Sequence, residues 1–296
     1  MPDRQKGLRR VAMGAVAGLA AMTALVAPAG AAPDKGADKA ANIALWRLEC
    51  GHVRNADLDM FSDAGALQGK RKDLVISCYL IRHGADYMLW DAGFGAELAG
   101  RAVESPPGIV SSMKRTLVDQ LAEIGVKPEQ VRYLGISHMH YDHISQAPSF
   151  AGATLLLGAE DMKTMAADPK GIPLLEPERL APWLKGGAPK IAVEGDHDVF
   201  GDGSVTMMAL PGHTHGHHGL LVKLAEKGPV LLTGDLYHVA DQVPLQAVPR
   251  FNADAAKTTE SQKRFAQIAR DKGATVIIQH EPGDVAKLPV FPEAAK

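Results

Sequence analysis

The sequence predicts one α/β domain built on mixed β-sheets. The chain has 296 residues, 46% of them hydrophobic, which is sufficient for one large core or two small ones. Short apolar runs typical of strands alternate with segments of helical periodicity along most of its length. Because no obvious internal repeat or linker divides the chain, we expect a single domain over residues 43–296.

Strands and one helix are predicted in the N-terminal half. The strand candidates are IALWRLEC, DLVISCYLIRHG, DYMLWDAG and VRYLGIS, each an apolar run followed by turn residues or polar segments. Residues 51–73 are rich in polar residues, glycine and aspartate, so we expect no core element there. A helix is expected over residues 111–126, because apolar side chains recur at helical spacing before Gly125. They are Met113, Leu117, Leu121 and Ile124.

The C-terminal half continues the alternation. A helix is predicted over residues 158–168 and a proline-rich loop over residues 171–187. The strand candidates that follow are VTMMALP, GLLVKLA, GPVLLTGD and, at the end, ATVIIQ. The last helix is expected to open with a capping box from Thr259 to Gln262 and to close at Gly273.

The N-terminus has the layout of a secretory signal peptide. Basic residues 4–10 precede an apolar run at residues 11–27, and the small residues at 29–31 offer a cleavage site. We therefore expect a signal peptide over residues 1–31, a flexible leader over 32–42, and a periplasmic or secreted protein without stable membrane association after cleavage. Arg9 and Arg10 also fit twin-arginine export. The alternative is an N-terminal membrane anchor, although the run is short for a bilayer and rich in alanine.

Charge and cysteine content restrict the partners. The chain has 32 lysines and arginines against 34 aspartates and glutamates, a net charge of -2. We therefore expect no general attraction for nucleic acid or anionic lipid. Its two cysteines, Cys50 and Cys78, lie in separate strand-like runs. Export would permit a disulfide between neighbouring strands, but two buried thiols are an equal alternative at this stage.

A histidine cluster follows the strand VRYLGIS. In the stretch GISHMHYDHISQ, an extended chain would send His138 and His140 to one side, while Asp142 and His143 on the next turn would face a second point. The motif could thus supply ligands to two metal ions, or be a chance cluster of hydrogen-bonding side chains. Three further candidates follow buried strands where loops begin. They are His213, Asp235 and His280.

In combination, these motifs resemble the metallo-β-lactamase superfamily and, within it, the N-acyl-homoserine lactonase-like hydrolases, from about Leu45 to His280. The resemblance implies a four-layer αββα sandwich of two mixed β-sheets, with two metal ions along one edge. It implies a first metal held by His138, His140 and His213. It implies a second metal held by Asp142, His143 and His280, with Asp235 as the bridge. Asp91 would orient a ligand histidine.

This donor set would support a hydrolytic reaction. Neutral imidazoles with two carboxylates would bind two divalent ions, expected to be zinc, and leave the site positive. A shared water would then be driven towards hydroxide near neutral pH and could attack an ester, lactone or amide carbonyl. Asp142 and Asp235 are thus candidate catalytic residues. The bridging position is an aspartate, which argues against the commonest zinc β-lactamase arrangement, whose second site uses a cysteine.

Several nearby side chains have open roles. His215, His217 and His218 share the loop of His213, and one of them could be a ligand in its place; we prefer His213 because it follows Pro-Gly as the ligand of the family does. Related lactonases carry a tyrosine three residues beyond the bridging aspartate. Here that position is His238, and Tyr237 stands one earlier, so both are candidate catalytic residues near the substrate carbonyl.

The predicted function is an exported dimetal hydrolase that opens a lactone ring, with N-acyl-homoserine lactones as substrates, and thereby quenches signalling between cells. Apolar residues in the loop at 53–72 could cover an acyl chain, or simply pack on the protein. They are Leu58, Met60, Phe61 and Leu67. Alternatives are another hydrolase on the same metals (β-lactamase, arylesterase, organophosphate hydrolase or thioesterase) and a non-enzymatic metal-binding module. The sequence does not determine the acyl preference, the native metal or the oligomeric state, and a homodimer is one possibility.

Overall fold

The computed structural model describes residues 43–167 and 169–296, all of which belong to one unit, Lys35–Lys296. The predicted signal peptide and leader lie outside these residues. The strands are β1 Ile43–Asp57, β2 Arg71–His83, β3 Asp86–Trp90, β4 Arg101–Glu104, β5 Val110–Met113, β6 Val131–Gly135, β7 Thr154–Gly158, β8 Lys190–Val193, β9 His197–Asp198, β10 Val205–Ala209, β11 His218–Leu224, β12 Gly228–Leu232 and β13 Thr275–Ile277.

These strands form two mixed sheets. The larger has the order β4-β5-β1-β2-β3-β6-β7-β8, antiparallel as far as β3 and parallel from β3 to β8. The smaller has the order β13-β12-β11-β10-β9 and is antiparallel except for the β12–β13 pair. The prediction of two mixed sheets is confirmed.

The helices are α1 Leu117–Glu123, α2 Tyr141–Ile144, α3 Ala159–Ala166, α4 Ala181–Leu184, α5 Gln242–Leu245, α6 Ala255–Lys272 and α7 Pro282–Val285. Short 3-10 turns connect several of them. Among the residues that the structure describes, none of the helices combines the length and the apolar character needed to cross a bilayer.

Strand alternation produces the four layers. On β11, Leu220 and Val222 pack into a cluster shared with Tyr79 and Trp90 of the large sheet, so this cluster lies between the sheets. Leu221, on the opposite face, packs in a cluster with Phe265 of α6. The outer face of the large sheet is covered by a cluster that includes residues of α1, α3 and α4. The predicted αββα sandwich is therefore the observed architecture.

Four local predictions are wrong in detail. The proline-rich segment at 171–187, expected to be a loop, contains α4, whose Trp183 is buried. Residues 110–113 form β5, and α1 begins only at Leu117 with Thr116 as its N-cap. Strands β1 and β2 extend into the segment at 51–73 that was expected to lack core elements. Helix α6 begins at Ala255 with Asp254 as its N-cap, so the expected Thr259 capping box lies inside the helix. Its predicted end at Gly273 is right, and this glycine has a positive φ of 58°.

Cys50 and Cys78 form a disulfide, which settles the alternative that the sequence left open. Cys50 lies in β1 and Cys78 in the neighbouring β2, with their Cα atoms 5.8 Å apart. The bridge packs under the turn after β3, where a Cβ at Gly93 would come within 2.4 Å of the Cβ of Cys50. It therefore lies below the chain segment that carries Asp91.

Candidate metal centre

The histidine motif lies where parallel strands of the large sheet end. Strand β6 stops at Gly135, and Ile136 N still donates to Leu156 O of β7, so the chain stays extended towards His138. Helix α2 begins directly after His140 and carries Asp142 and His143 in its single turn. The backbone thus changes from extended to helical between the second and third polar side chains. This change supplies the two points that the spacing predicted.

The first group of donors consists of His138, His140, His213 and Asp235, all buried. Three ring nitrogens converge: His138 Nε2 lies 2.9 Å from His140 Nδ1, and His213 Nε2 lies 3.2 and 3.1 Å from these two atoms. Asp235 Oδ2 lies 3.6 Å from His138 Nε2 and 3.5 Å from His213 Nε2. The structure therefore brings together the residues predicted for the first metal, with the carboxylate at its edge.

The second group consists of Asp142, His143 and His280. Its histidines point to the other oxygen of the same aspartate, since Asp235 Oδ1 lies 3.2 Å from His143 Nε2 and 2.9 Å from His280 Nε2. Asp142 Oδ2 lies 3.7 Å from His143 Nε2 and 3.9 Å from His280 Nε2. Asp235 thus has one oxygen on each group, which is the arrangement expected of a bridging ligand.

The outer nitrogens of these rings already have partners. His213 Nδ1 donates to Asn252 Oδ1 at 2.8 Å, and His280 Nδ1 donates to Val75 O at 2.9 Å. His143 Nδ1 donates to Asp91 Oδ2 at 3.0 Å. With its proton on the outer nitrogen, His213 presents a lone pair to the ring nitrogens of His138 and His140. The inner nitrogens of His143 and His280 face the Asp235 carboxylate. Within the described part of the chain, the buried His143 Nε2 lies 3.2 Å from Asp235 Oδ1 but makes no well-aligned hydrogen bond. The residues present therefore fit divalent cations between the rings.

The two groups differ in their pKa values. Burial lowers the pKa of His138 and His213 well below the usual value, and that of His140 to about 4. Burial also opposes protonation of His143 and His280, but the nearby carboxylates, Asp235 first, outweigh it and raise both pKa values. The carboxylates thus favour a cation on the second group, whether a proton or a metal ion.

Asp91 is part of a buried network beside the second group. It has a positive φ of 60° immediately after β3, and its Oδ1 accepts from Ser137 N at 2.7 Å. Its Oδ2 contacts His143 Nδ1 and accepts from Gln279 Nε2 at 2.9 Å. The oxygen Gln279 Oε1 accepts from Gly234 N at 3.0 Å. Gln279 therefore connects Asp91, which contacts His143, to the backbone of Gly234, which precedes Asp235. It also directly precedes His280. The sequence did not single it out, since its one distinctive feature was a polar side chain in an apolar strand run.

The other histidines of the His213 loop have structural partners. His217 Nδ1 donates to Leu210 O, and its Nε2 accepts from Asp235 N at 2.9 Å, so it fixes the backbone of the bridging residue. Burial lowers the pKa of His217 to about 3, which keeps the ring neutral. His218 contacts the carbonyl oxygens of Gly216 and Gly195. His215 is exposed. Only His213 of this loop belongs to the first donor group.

Tyr237 and His238 point to different places. His238 Nε2 lies 3.0 Å from Asp235 Oδ2, and its ring stacks on Phe61 with centroids 4.4 Å apart. Tyr237 packs in the cluster between the small sheet and α6, where burial raises its pKa to about 12. The structure therefore brings His238, and not Tyr237, to the metal centre.

A pocket of about 220 Å³ opens onto both donor groups. Its described lining combines polar and apolar side chains. The polar ones include His140, Asp142, Asp235, His238 and His280, and the apolar ones include Met60, Phe61, Phe94, Ile109 and Phe251. A larger cavity of about 530 Å³ lies beside Arg47, Lys114 and Phe291. Its described lining contains none of the candidate ligands, so the smaller pocket is the one relevant to chemistry.

Known proteins share this sequence pattern. A model of the metallo-β-lactamase superfamily matches residues 71–280. The chain is 28% identical over 261 residues to the N-acyl homoserine lactonase AttM of Rhizobium johnstonii, an alignment that covers 85% of this chain and 98% of that protein. It is 26% identical over 232 residues to an N-acyl homoserine lactonase of a Bacillus species, covering 76% of this chain and 88% of that protein.

Solved structures share the fold. An N-acyl homoserine lactone hydrolase, with the product N-hexanoyl-L-homoserine at its catalytic metal centre, superposes with a TM-score of 0.72 at 21% identity, over 86% of this chain and 99% of that one. AidC, a dizinc quorum-quenching lactonase, superposes with a TM-score of 0.62 at 16% identity, over 86% of this chain and 90% of that one. From its matched sequence, its two mixed sheets and its paired donor groups, the chain belongs to the metallo-β-lactamase superfamily.

Proposed function

We propose that this protein is an exported dimetal hydrolase that opens the ring of N-acyl-homoserine lactones. The observation that carries the proposal is the pair of donor groups joined by Asp235 at the floor of a pocket with apolar walls. The relatives named above as N-acyl homoserine lactonases support the substrate class. AidC is described as a dizinc enzyme, which supports zinc as the native metal.

The chain itself would bind and orient both the ions and the substrate. Divalent ions held by the two groups would polarise the ester carbonyl and acidify the attacking water. His238 lines the pocket beside Asp235, so its ring is placed to hydrogen-bond the carbonyl or ring oxygen of a lactone. Asp142 is the most exposed member of its donor group, with 20% of its side chain accessible. Its carboxylate is placed to accept the proton that the attacking water loses and to pass it to the leaving alkoxide.

The apolar wall fits an acyl chain better than a polar substituent. Phe61 and Met60 line the pocket on one side, and Ile109, from the β4–β5 hairpin, lines it on another. Leu58, Phe61 and Leu67 of the same loop belong to one buried cluster that holds the loop in place. Phe61 thus both packs in this cluster and lines the pocket, and Met60 and Phe61 are the proposed contacts for substrate.

Export is the second part of the proposal. The signal-peptide pattern of residues 1–31 predicts a periplasmic or secreted protein. The Cys50–Cys78 disulfide supports this location, because disulfides persist mainly in oxidising compartments. Mass spectrometry of the protein isolated from its native host should find a mature N-terminus near residue 32. An uncut N-terminus in a cytosolic fraction would contradict export.

A substrate panel tests the activity. Lactones, β-lactams, aryl esters and phosphotriesters should be compared on metal-replete protein, with metal-stripped protein as the control. We expect kcat/KM to be far higher for acyl-homoserine lactones than for β-lactams. A lactone expels an alkoxide that a metal can bind directly, whereas an amide nitrogen also needs a proton. A β-lactam or another class of ester turned over faster than every lactone would overturn the assignment.

A further inference from the structure

Helix α3 carries a fully buried carboxylate that the proposed reaction does not use. Asp161 lies in the first turn of the helix and is 0% exposed. Its Oδ1 accepts from Gly216 N at 2.7 Å, and its Oδ2 accepts from Thr214 Oγ1 at 2.6 Å and from Met139 N at 3.2 Å. A buried carboxylate is costly unless donors surround it, so these three hydrogen bonds account for its presence.

The three donors come from the two segments that supply the imidazoles of the first group. Met139 stands between His138 and His140. Thr214 and Gly216 follow His213 by one and three residues. One carboxylate therefore ties the motif after β6 to the loop before β11. None of its hydrogen bonds within the described residues goes to the segments of the second group.

Close backbone packing holds this contact in place. A Cβ at Gly158 would lie 1.9 Å from Gly216 O, and a Cβ at Gly216 would lie 2.8 Å from Asp161 Cγ. Neither position has room for a side chain, so the start of α3 lies directly against the His213 loop. Burial raises the pKa of the Asp161 carboxyl to about 6, and its three donors oppose that rise. Three donors to its two oxygens favour the ionised carboxylate.

We propose that Asp161 is a positioning residue for the first metal site, where it fixes the separation between His213 and the pair formed by His138 and His140. The proposal rests on the metal-binding part of the proposed function and is independent of the substrate. Its signature is selectivity: loss of the carboxylate should weaken metal binding at the first group and spare the second. A residue that only stabilises the fold would affect both groups alike.

The test is zinc affinity in two backgrounds. Asp161→Asn keeps the size of the side chain but turns one acceptor into an NH₂ group, which faces at least one of the N–H donors in either orientation. In a His280→Ala background, where the first group keeps its imidazoles, this change should weaken zinc binding about 10- to 100-fold. In a His213→Ala background, which tests the second group, zinc affinity should stay near the parent value. Both are measured on metal-free protein by competition with a chromophoric chelator.

A matched control comes from another carboxylate with a similar number of partners. Asp202, in the β9–β10 turn, contacts His83 Nε2 at 2.7 Å and accepts from the backbone and hydroxyl of Ser204. Asp202→Asn should lower the thermal stability of the metal-free protein without changing zinc affinity in either background. Equal weakening in both backgrounds by Asp161→Asn, or no weakening in either, would overturn the proposal.

A milder pair of variants decides the question if Asp161→Asn does not fold. Thr214→Val removes one donor to Asp161 with little change in volume, and Thr214→Ser keeps the hydroxyl. We expect weaker zinc binding for Thr214→Val in the His280→Ala background and near-parent binding for Thr214→Ser. Unchanged affinity for Thr214→Val would contradict the proposal. Because zinc binding is measured without turnover, a failure of the lactone assignment would leave this result intact.

Discussion

The two donor groups that meet at Asp235 differ in burial, charge and support. The first has three buried imidazoles whose pKa values are lowered by burial. The second adds the partly exposed Asp142 to two imidazoles whose pKa values are raised by carboxylates. The first is tied together by Asp161, and the second by Asp91 and Gln279.

This difference indicates that the ions at the two groups have different roles. A buried, neutral set of imidazoles suits an ion that stays in place. An acidic set that opens onto the pocket suits an ion that meets substrate and exchanges protons with it. Asp235 belongs to both sets, because its two oxygens face different groups. Its removal should therefore do more than the removal of any residue that serves one group.

The largest effect is expected for Asp235→Ala. Loss of the bridge should lower the metal content below two ions per chain and reduce lactone turnover on the order of 100-fold or more, since an electrostatic contact to the reacting centre alone has that value. Elemental analysis and kcat should be measured together. The matched control is Asp241→Ala, which removes a nearby carboxylate paired with Lys72 and should keep both metals. Full activity in Asp235→Ala would contradict the bridge.

A somewhat smaller effect is expected for His238→Ala. Because His238 Nε2 lies beside Asp235 in the pocket, losing its contact with substrate should reduce kcat/KM on the order of 10- to 1,000-fold. Metal content should stay unchanged, in contrast to Asp235→Ala. Tyr237→Phe is the control, since Tyr237 packs in the cluster beside α6 and is not part of the described pocket lining, and its kinetics should match wild type. Unchanged kinetics in His238→Ala would show that its ring only packs on Phe61.

The pH dependence of zinc binding should separate the groups. Raised pKa values keep His143 and His280 protonated to higher pH, so zinc must displace protons there. Lowered pKa values leave the first group neutral, so its zinc affinity should level off at lower pH. The slope of log affinity against pH, near neutrality, should thus be steeper in His213→Ala than in His280→Ala. Equal slopes would contradict the difference in histidine pKa between the two groups.

The smallest effect concerns the apolar wall beside the second group. If Met60 and Phe61 contact the acyl chain, each buried methylene adds about 0.8 kcal/mol, roughly fourfold in affinity. KM and kcat/KM should therefore favour longer chains in wild type, and Phe61→Ala should flatten this trend. Val243→Ala, which changes an exposed apolar residue outside the described pocket lining, should keep it. A flat profile in wild type would exclude an acyl role for the loop.

The sequence was sufficient for the metal-ligand candidates and for an α/β domain with mixed sheets, and the family resemblance that its motifs carry implied the four layers. His138, His140, Asp142 and His143 lie in one short motif, so local spacing indicates their geometry. His213, Asp235 and His280 each follow a buried strand, where a polar side chain stands out against its neighbours. The sequence suggested a disulfide between Cys50 and Cys78 but could not distinguish it from two buried thiols, because the bond depends on the pairing of β1 with β2.

The supporting residues were not predictable in the same way. Asp161 lies in a helix that the sequence predicted. The one feature that could have marked it is its position four residues before Met165, which places an acidic side chain on the buried face of that helix. Its partners lie in two distant segments, so only the packing of α3 reveals its role. Strand β5 was mistaken for the start of a helix because its pairing with β1 and β4 is non-local, while its one buried residue, Met113, fits the helical spacing of Leu117 and Leu121.

Counting the bound ions tests the central claim most directly. Metal-free protein, titrated with zinc near neutral pH and checked by elemental analysis, should bind close to two ions per chain, as the paired donor groups predict. His280→Ala and His213→Ala should each retain close to one. Saturation of the wild-type protein at a single ion per chain, with Asp235→Ala as active as wild type, would contradict two groups joined by Asp235.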